Sequence, residues 1–148
     1  MATSVLTAGI MLTLVAVMPA ATAVATPPDG DVVRNDLAKG NTEAPVSIST
    51  DGPATQIVQS LVMQPGASSG WHTHPGTELS VITGGSVALQ TAGACGPVTY
   101  GPGQAVVIPA GVPHRVANDS GSQAEVVVSY TLPLNAPVRG DAPDACPG

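Results

Sequence analysis

Residues 66–85 read GASSGWHTHPGTELSVITGG, and the reading of this stretch decides the rest. It holds His72 and His74, two of the chain's three histidines. On an extended backbone, residues i and i+2 point to the same face, so the two imidazoles can converge on one point. Glu78 follows four residues later, beyond the Pro75-Gly76 bend. The third histidine, His114, falls in a separate apolar run and so on a different expected strand, as a convergent site in a closed sheet requires. Three neutral imidazoles and a carboxylate make a ligand set for a divalent transition metal, with positions left for water, substrate or dioxygen. Taken alone, an HxH followed by a glutamate is a weak signal, because surface histidines occur by chance and Glu78 could be a solvated strand end.

The surrounding residues add weight. From Gly66 to Gly85 the spacing is G(x)5HxH(x)3E(x)6G, and from Gly103 through Pro109, Gly111 and His114 to Asn118 it is G(x)5PxG(x)2H(x)3N. Both patterns closely resemble the two motifs of the cupin superfamily, matching at every signature position, with the short intermotif stretch 86–102 between them. The resemblance implies an all-β fold, a single antiparallel jelly-roll barrel with His72, His74, Glu78 and His114 ligating a metal inside its mouth. In the same reading Pro109 and Gly111 shape the bend that delivers His114, while Asn118 satisfies turn backbone rather than touching the metal.

The rest of the chain is compatible with that barrel. Its 148 residues fit one ordinary domain. Apolar residues make up 43% against only 9% charged, so a folded, turn-rich β protein is favoured over disorder. Trp71, Tyr100 and Tyr130 are the only aromatics, which leaves the core to Val, Ile, Leu, Met and Ala. Strand-like runs occur at 55–63, 78–83, 86–90, 98–100, 105–108, 114–117 and 125–132. Turn signals separate them, among them residues 93–97 and Gly84-Gly85, the latter reading as a tight hairpin. Residues 26–53 read as a linker or arm with an edge strand near 46–49, residues 54–132 as the barrel, and 133–148 as a Pro-rich tail.

Residues 1–25 carry no charged side chain and read as a signal peptide: an apolar run over 5–17, then small residues that favour cleavage after Ala23 or Ala25. The usual positive leader is missing, since no Lys or Arg precedes Arg34. A retained anchor is the alternative, but the run is shorter than the roughly 20 apolar residues a spanning helix needs. The expected location is therefore secreted, periplasmic or cell-envelope, with no stable membrane span after cleavage. Outside the cytosol the even cysteine count favours pairing of Cys95 with Cys146, two separate thiols being the alternative.

The net charge of −6, with Arg34, Lys39, Arg115 and Arg139 the only cations, offers no basic patch for nucleic acid. Among side chains other than the ligands, Tyr130 in the last apolar run is the candidate catalytic residue, its alternative being ordinary core packing. Gln56 or Gln59 could line the cavity too, and alternation puts Arg115 outside. Few positioned acids or bases accompany the ligands, which favours chemistry carried by the metal. Iron or manganese ranks ahead of zinc, nickel or copper for a redox role, though nitrogen and oxygen ligands suit them all. The expected protein is an exported, metal-dependent oxidoreductase of dioxygenase-like type acting on a small molecule. A noncatalytic small-ligand-binding module and a germin-like extracellular cupin are the rivals. Open sheet edges make a homodimer a reasonable expectation.

Overall fold

The two longest apolar runs form the two longest strands. In the computed structural model, which describes residue 26 and residues 28–146, β1 spans Ala54–Met63 and β8 spans Ala124–Pro133. Along β8 the even-numbered residues Ala124, Val126, Val128, Tyr130 and Leu132 are buried and their odd-numbered neighbours are not, the period-2 signature of a half-buried strand. Between these two lie β2 (His72–Thr73), β3 (Thr77–Gly84), β4 (Val87–Thr91), β5 (Ala94–Tyr100), β6 (Ala105–Ile108) and β7 (His114–Ala117). A short β9 (Gly140–Asp141) follows β8, and no helix occurs among the described residues. Residues 28–34 carry no strand.

The strands form two antiparallel sheets, ordered β1-β8-β3-β6 and β5-β4-β7-β2-β9, the jelly-roll architecture. The hydrophobic core joins Ile82 of β3 and the inward residues of β8 to Val87 of β4, with Ile57, Leu61, Met63 and Val116 packed against them. Burying one such aliphatic side chain contributes about 1.5–3 kcal/mol, so this aromatic-poor interior relies on many medium-sized residues.

Three details differ from the sequence reading. Gly84-Gly85 is not a hairpin, because β3 and β4 lie in different sheets. Both edges of β3 are already taken by β8 and β6, so the chain must leave that sheet. Gly85 makes the corner with φ +63°, and a β-carbon there would collide with the Gln123 carbonyl oxygen. Residues 46–49 form no strand. The arm reaches the sheet earlier, at Asn41, whose N–H donates to Gly103 and whose carbonyl accepts from Ala105, both at 2.9 Å. The pairing ends there, because the chain bends away at Glu43 and Ala44. Finally, most of 93–97 is strand rather than turn. β5 pairs only with β4, and on such an edge Gly96 and Pro97 are tolerated.

Asn118 closes the loop after β7 and is fully buried. Its amide donates to the carbonyls of Met63 and Ser122, each at 2.8 Å, while Oδ1 accepts from the Ser120 N–H and hydroxyl at 3.1 and 2.7 Å. Asn118→Ala deletes all four of these hydrogen bonds and leaves a void at a fully buried position. A loss of about 2–4 kcal/mol in denaturant unfolding is the expected outcome.

Candidate metal centre

His72, Glu78 and His114 come from three different strands, and the sheet register brings them together. His72 of β2 is the direct cross-strand partner of His114 of β7, and their ring centroids are 4.2 Å apart. His74 lies just beyond β2, with its centroid 4.8 Å from that of His72 and 5.2 Å from that of His114. Glu78 comes from β3 in the other sheet, opposite Tyr130 of β8. Each of the four side chains offers a donor atom, and these atoms lie within 4.8 Å of one another. All four residues are buried, His114 completely and Glu78 to 4% exposure.

The backbone fixes which nitrogen each ring presents. Nδ1 of His72 lies 2.9 Å from the Gly70 carbonyl, Nδ1 of His114 lies 2.9 Å from the Val112 carbonyl, and Nδ1 of His74 meets the carbonyl of Val138. A carbonyl only accepts, so each Nδ1 carries the proton and each neutral ring keeps its Nε2 lone pair free. Such outer partners orient imidazoles for metal ligation. Nε2 of His74 and of His114 are buried without a hydrogen-bond partner, although Glu78 Oε2 lies 2.9 and 3.4 Å away. A buried polar atom left unpaired costs about 1–3 kcal/mol, and a cation at the point these lone pairs share removes that cost. The donor set therefore fits one divalent transition metal.

Glu78 is held for ionisation. Burial opposes its charge, but the His114 and His74 rings, which can donate to it only once protonated at Nε2, and the Ser80 hydroxyl outweigh that and hold the carboxyl well below the usual carboxylate range. The Ser80 hydroxyl donates to Oε1 at 2.6 Å. Burial drives the His72 imidazole down to about 4. Burial also acts to lower His74, but the Glu78 carboxylate more than offsets it and raises the imidazole above its ordinary value. For metal-free protein these shifts fix a pH profile. The unfolded chain binds more protons than the folded one at His72 between pH 6.5 and about 4, and at Glu78 below about 4.5, so stability falls as pH drops through that window. His74 acts oppositely: its contribution is complete below 6.5 and is lost as pH rises through its raised value. Urea unfolding of metal-free protein from pH 4 to 8 is expected to show a fall in stability on the acid side. A flat profile would contradict the buried pair.

A cavity of about 320 Å3 opens beside the ligands. Leu61, Met63, Val116, Val126 and Val128 form apolar wall, and His72, Glu78, His114, Tyr130 and Arg139 supply polar lining. The Tyr130 ring centroid is 4.7 Å from that of His74. Burial and the Glu78 charge push its hydroxyl up to about 12, so it stays protonated across the neutral range. Gln56 and Gln59 are exposed and do not line the cavity. Arg115 is occupied elsewhere, bonded to Ser68 at 2.9 Å and Gln90 at 3.0 Å.

Three contributors escaped the sequence reading. Ser80 shares a strand face with Glu78, and alternation along β3 would have found it. Val138 and Arg139 lie in the Pro-rich segment after β8, where no periodicity signals a role. That segment returns across the site. β9 pairs with β2, joining Asp141 to His72 and Gly140 to Thr73; the Ala142 N–H donates to the Trp71 carbonyl at 3.0 Å; and Cys146 forms a disulfide with Cys95 of β5.

Residues 59–130 match a family model described as the cupin domain. Among solved structures, a DMSP lyase superposes with a TM-score of 0.53 at 22% identity, over 60% of this chain and 44% of that one. The polyketide cyclase RemF from Streptomyces resistomycificus superposes at 0.52 and 21% identity, over 64% and 67%. The DMSP lyase DddQ from Ruegeria pomeroyi DSS-3 superposes at 0.50 and 24% identity, over 55% and 41%. At these identities the likeness is one of fold, and the chain spans less than half the length of the two lyases. No curated protein sequence matches the chain. With the matched model, both motifs and the jelly-roll topology in agreement, residues 59–130 of this chain form a cupin domain.

Proposed function

We propose that this cupin is an exported metalloprotein, a metal-dependent oxidoreductase of dioxygenase-like type that acts on a small molecule in the 320 Å3 cavity. One observation carries the reading: three rings with Nδ1 committed to carbonyls gather with the Glu78 carboxylate within 4.8 Å. His72, His74, Glu78 and His114 would hold the ion, iron or manganese ahead of zinc, nickel or copper. Such an ion supplies redox and Lewis-acid chemistry at the coordination positions these side chains leave open. The aliphatic wall would pack against the apolar part of a bound molecule, and Tyr130, our candidate catalytic residue, keeps its proton and would be able to donate a hydrogen bond to it. Of the titratable side chains lining the cavity, only Tyr130 and Arg139 are not ligands, which favours metal-borne chemistry over acid–base chemistry.

The same scarcity favours a second reading, a binding module that uses the metal to hold a small ligand. Oxygen uptake by metal-loaded protein, measured across small phenols, thiols and carboxylates, separates the two. Metal-dependent uptake that falls in Tyr130→Phe supports the oxidoreductase. Full metal content with no uptake favours the binding module.

Export rests on the apolar, small-residue character of residues 1–25, which lie outside the described residues, and on the disulfide, a bond that persists in oxidising compartments. No helix of the described residues is long and apolar enough to cross a membrane. We also propose a homodimer, for which β1 offers a ten-residue strand paired on one side only, with Val58 and Val62 exposed. Light scattering that returns a monomer at high concentration would remove it.

A further inference from the structure

Arg139 is the one cation lining the cavity among the described residues. It stands beyond β8, outside both cupin motifs, yet shares a wall with His72, Glu78 and Tyr130. Its guanidinium is fixed at two points: NH1 donates to the Ser69 carbonyl at 3.1 Å, and NH2 to Asp141 Oδ1 at 2.8 Å. A guanidinium has five N–H donors, so others remain for a ligand. The side chain is 41% exposed, whereas the Asp141 side chain is 91% exposed, so that pair is a solvated latch of low energy rather than a closed ion pair.

The charge balance of the lining points to an anion. A divalent ion on Glu78 leaves one positive charge, Asp141 balances Arg139 from outside the cavity, and no other acid lines it. The rest of the wall is Leu, Met, Val and Ala with three serines, of which Ser69 and Ser80 already donate their hydroxyls to Gly70 and Glu78. A doubly charged inorganic anion there would exchange its hydration for one guanidinium, the Ser68 and Tyr130 hydroxyls and mostly aliphatic carbon, which is costly. A singly charged head on an apolar body matches both halves of the lining. At roughly 30 Å3 per water-sized group, the cavity holds on the order of ten non-hydrogen atoms.

We propose that Arg139 is the specificity-determining residue of this cavity and that it selects a small aliphatic monocarboxylate, holding the carboxylate while the aliphatic body lies against Leu61, Met63 and Val128. The inference rests on the metal reading above for its charge balance. The alternative role for Arg139 is purely structural, a latch that keeps the segment after β8 on Ser69, and the two roles predict opposite effects at Asp141.

The test is calorimetric titration of metal-loaded protein with 3-methylbutanoate and, in parallel, its neutral amide, with metal content measured on every sample. Wild type is expected to prefer the carboxylate. Arg139→Gln is expected to weaken carboxylate binding about ten- to a hundredfold and leave amide binding unchanged, Arg139→Lys recovering part of the loss. Asp141→Asn frees the guanidinium and is expected to tighten carboxylate binding severalfold, where a pure latch would loosen it. Equal affinities for acid and amide, inorganic phosphate binding more tightly than the carboxylate, or an unaltered carboxylate affinity in metal-replete Arg139→Gln would each overturn the inference and leave the metal reading intact. Protein without metal that still binds the carboxylate through Arg139 would overturn the metal reading alone. Protein that binds neither overturns both.

Discussion

His114→Ala, purified without chelator or affinity tag, is expected to contain no stoichiometric metal, in contrast to wild type. His114 is the fully buried member of the set, faces His72 across the β2–β7 ladder and has its Nε2 lone pair unpaired in the metal-free geometry. Removing an outer partner of a metal ligand costs about 10- to 100-fold in affinity, and removing the ligand itself must cost more than that. Ala keeps the backbone pairing and deletes the orphaned Nε2, but it also removes the Nδ1 bond to the Val112 carbonyl and leaves a void, so an unfolding midpoint is measured beside the metal content. His74→Ala should behave alike. Elemental analysis of both variants beside wild type decides the matter, and full occupancy in either one would remove that residue from the ligand set.

Cys146→Ser is expected to produce the largest loss of fold stability and a second, indirect loss of metal. The disulfide to Cys95 closes a loop across 51 positions, which the chain-entropy account values at about 4 kcal/mol. That is a large share of the 5–15 kcal/mol typical of a domain. The loop also contains the segment whose Val138 carbonyl fixes the His74 tautomer and whose β9 pairs with His72. With its covalent anchor gone, this segment frays, and His74 loses its orienting partner for part of the time. Chemical denaturation should show a lower midpoint, and competition with a chelator should show weaker metal binding. A variant with lower stability but an unaltered metal affinity would mean that β9 holds the segment without the disulfide.

Much of this was legible because the informative residues are rigidly spaced. His72, His74, Glu78 and His114 stand at fixed separations from glycines and a proline that shape the backbone, and the structure gathers all four. The apolar run 125–132 marked β8, and in the structure each of its even residues is buried against the core. What stayed hidden has physical causes. β2 and β9 are two residues long, too short for any period to show. Gly84-Gly85 has hairpin chemistry, but which sheet receives the next strand depends on whether the edges of β3 are free, a property of residues far away in sequence. Pro97 read as a turn because its tolerance depends on β5 being an edge. Val138 acts through its carbonyl, which every residue type possesses, so no side-chain pattern could have signalled it.

The crossing of β9 over β2 bears on the order in which the molecule is made. Synthesis runs from the amino end, and the last metal-ligand candidate, His114, emerges well before Val138, Asp141 and Cys146. A nascent chain that has reached Leu132 owns every ligand and both long strands, yet lacks the carbonyl that sets the His74 ring and the strand that flanks His72. Full metal affinity therefore arrives only once residues 138–141 have emerged and folded back over the barrel mouth, and a chain that has reached only Leu132 is expected to hold metal more weakly.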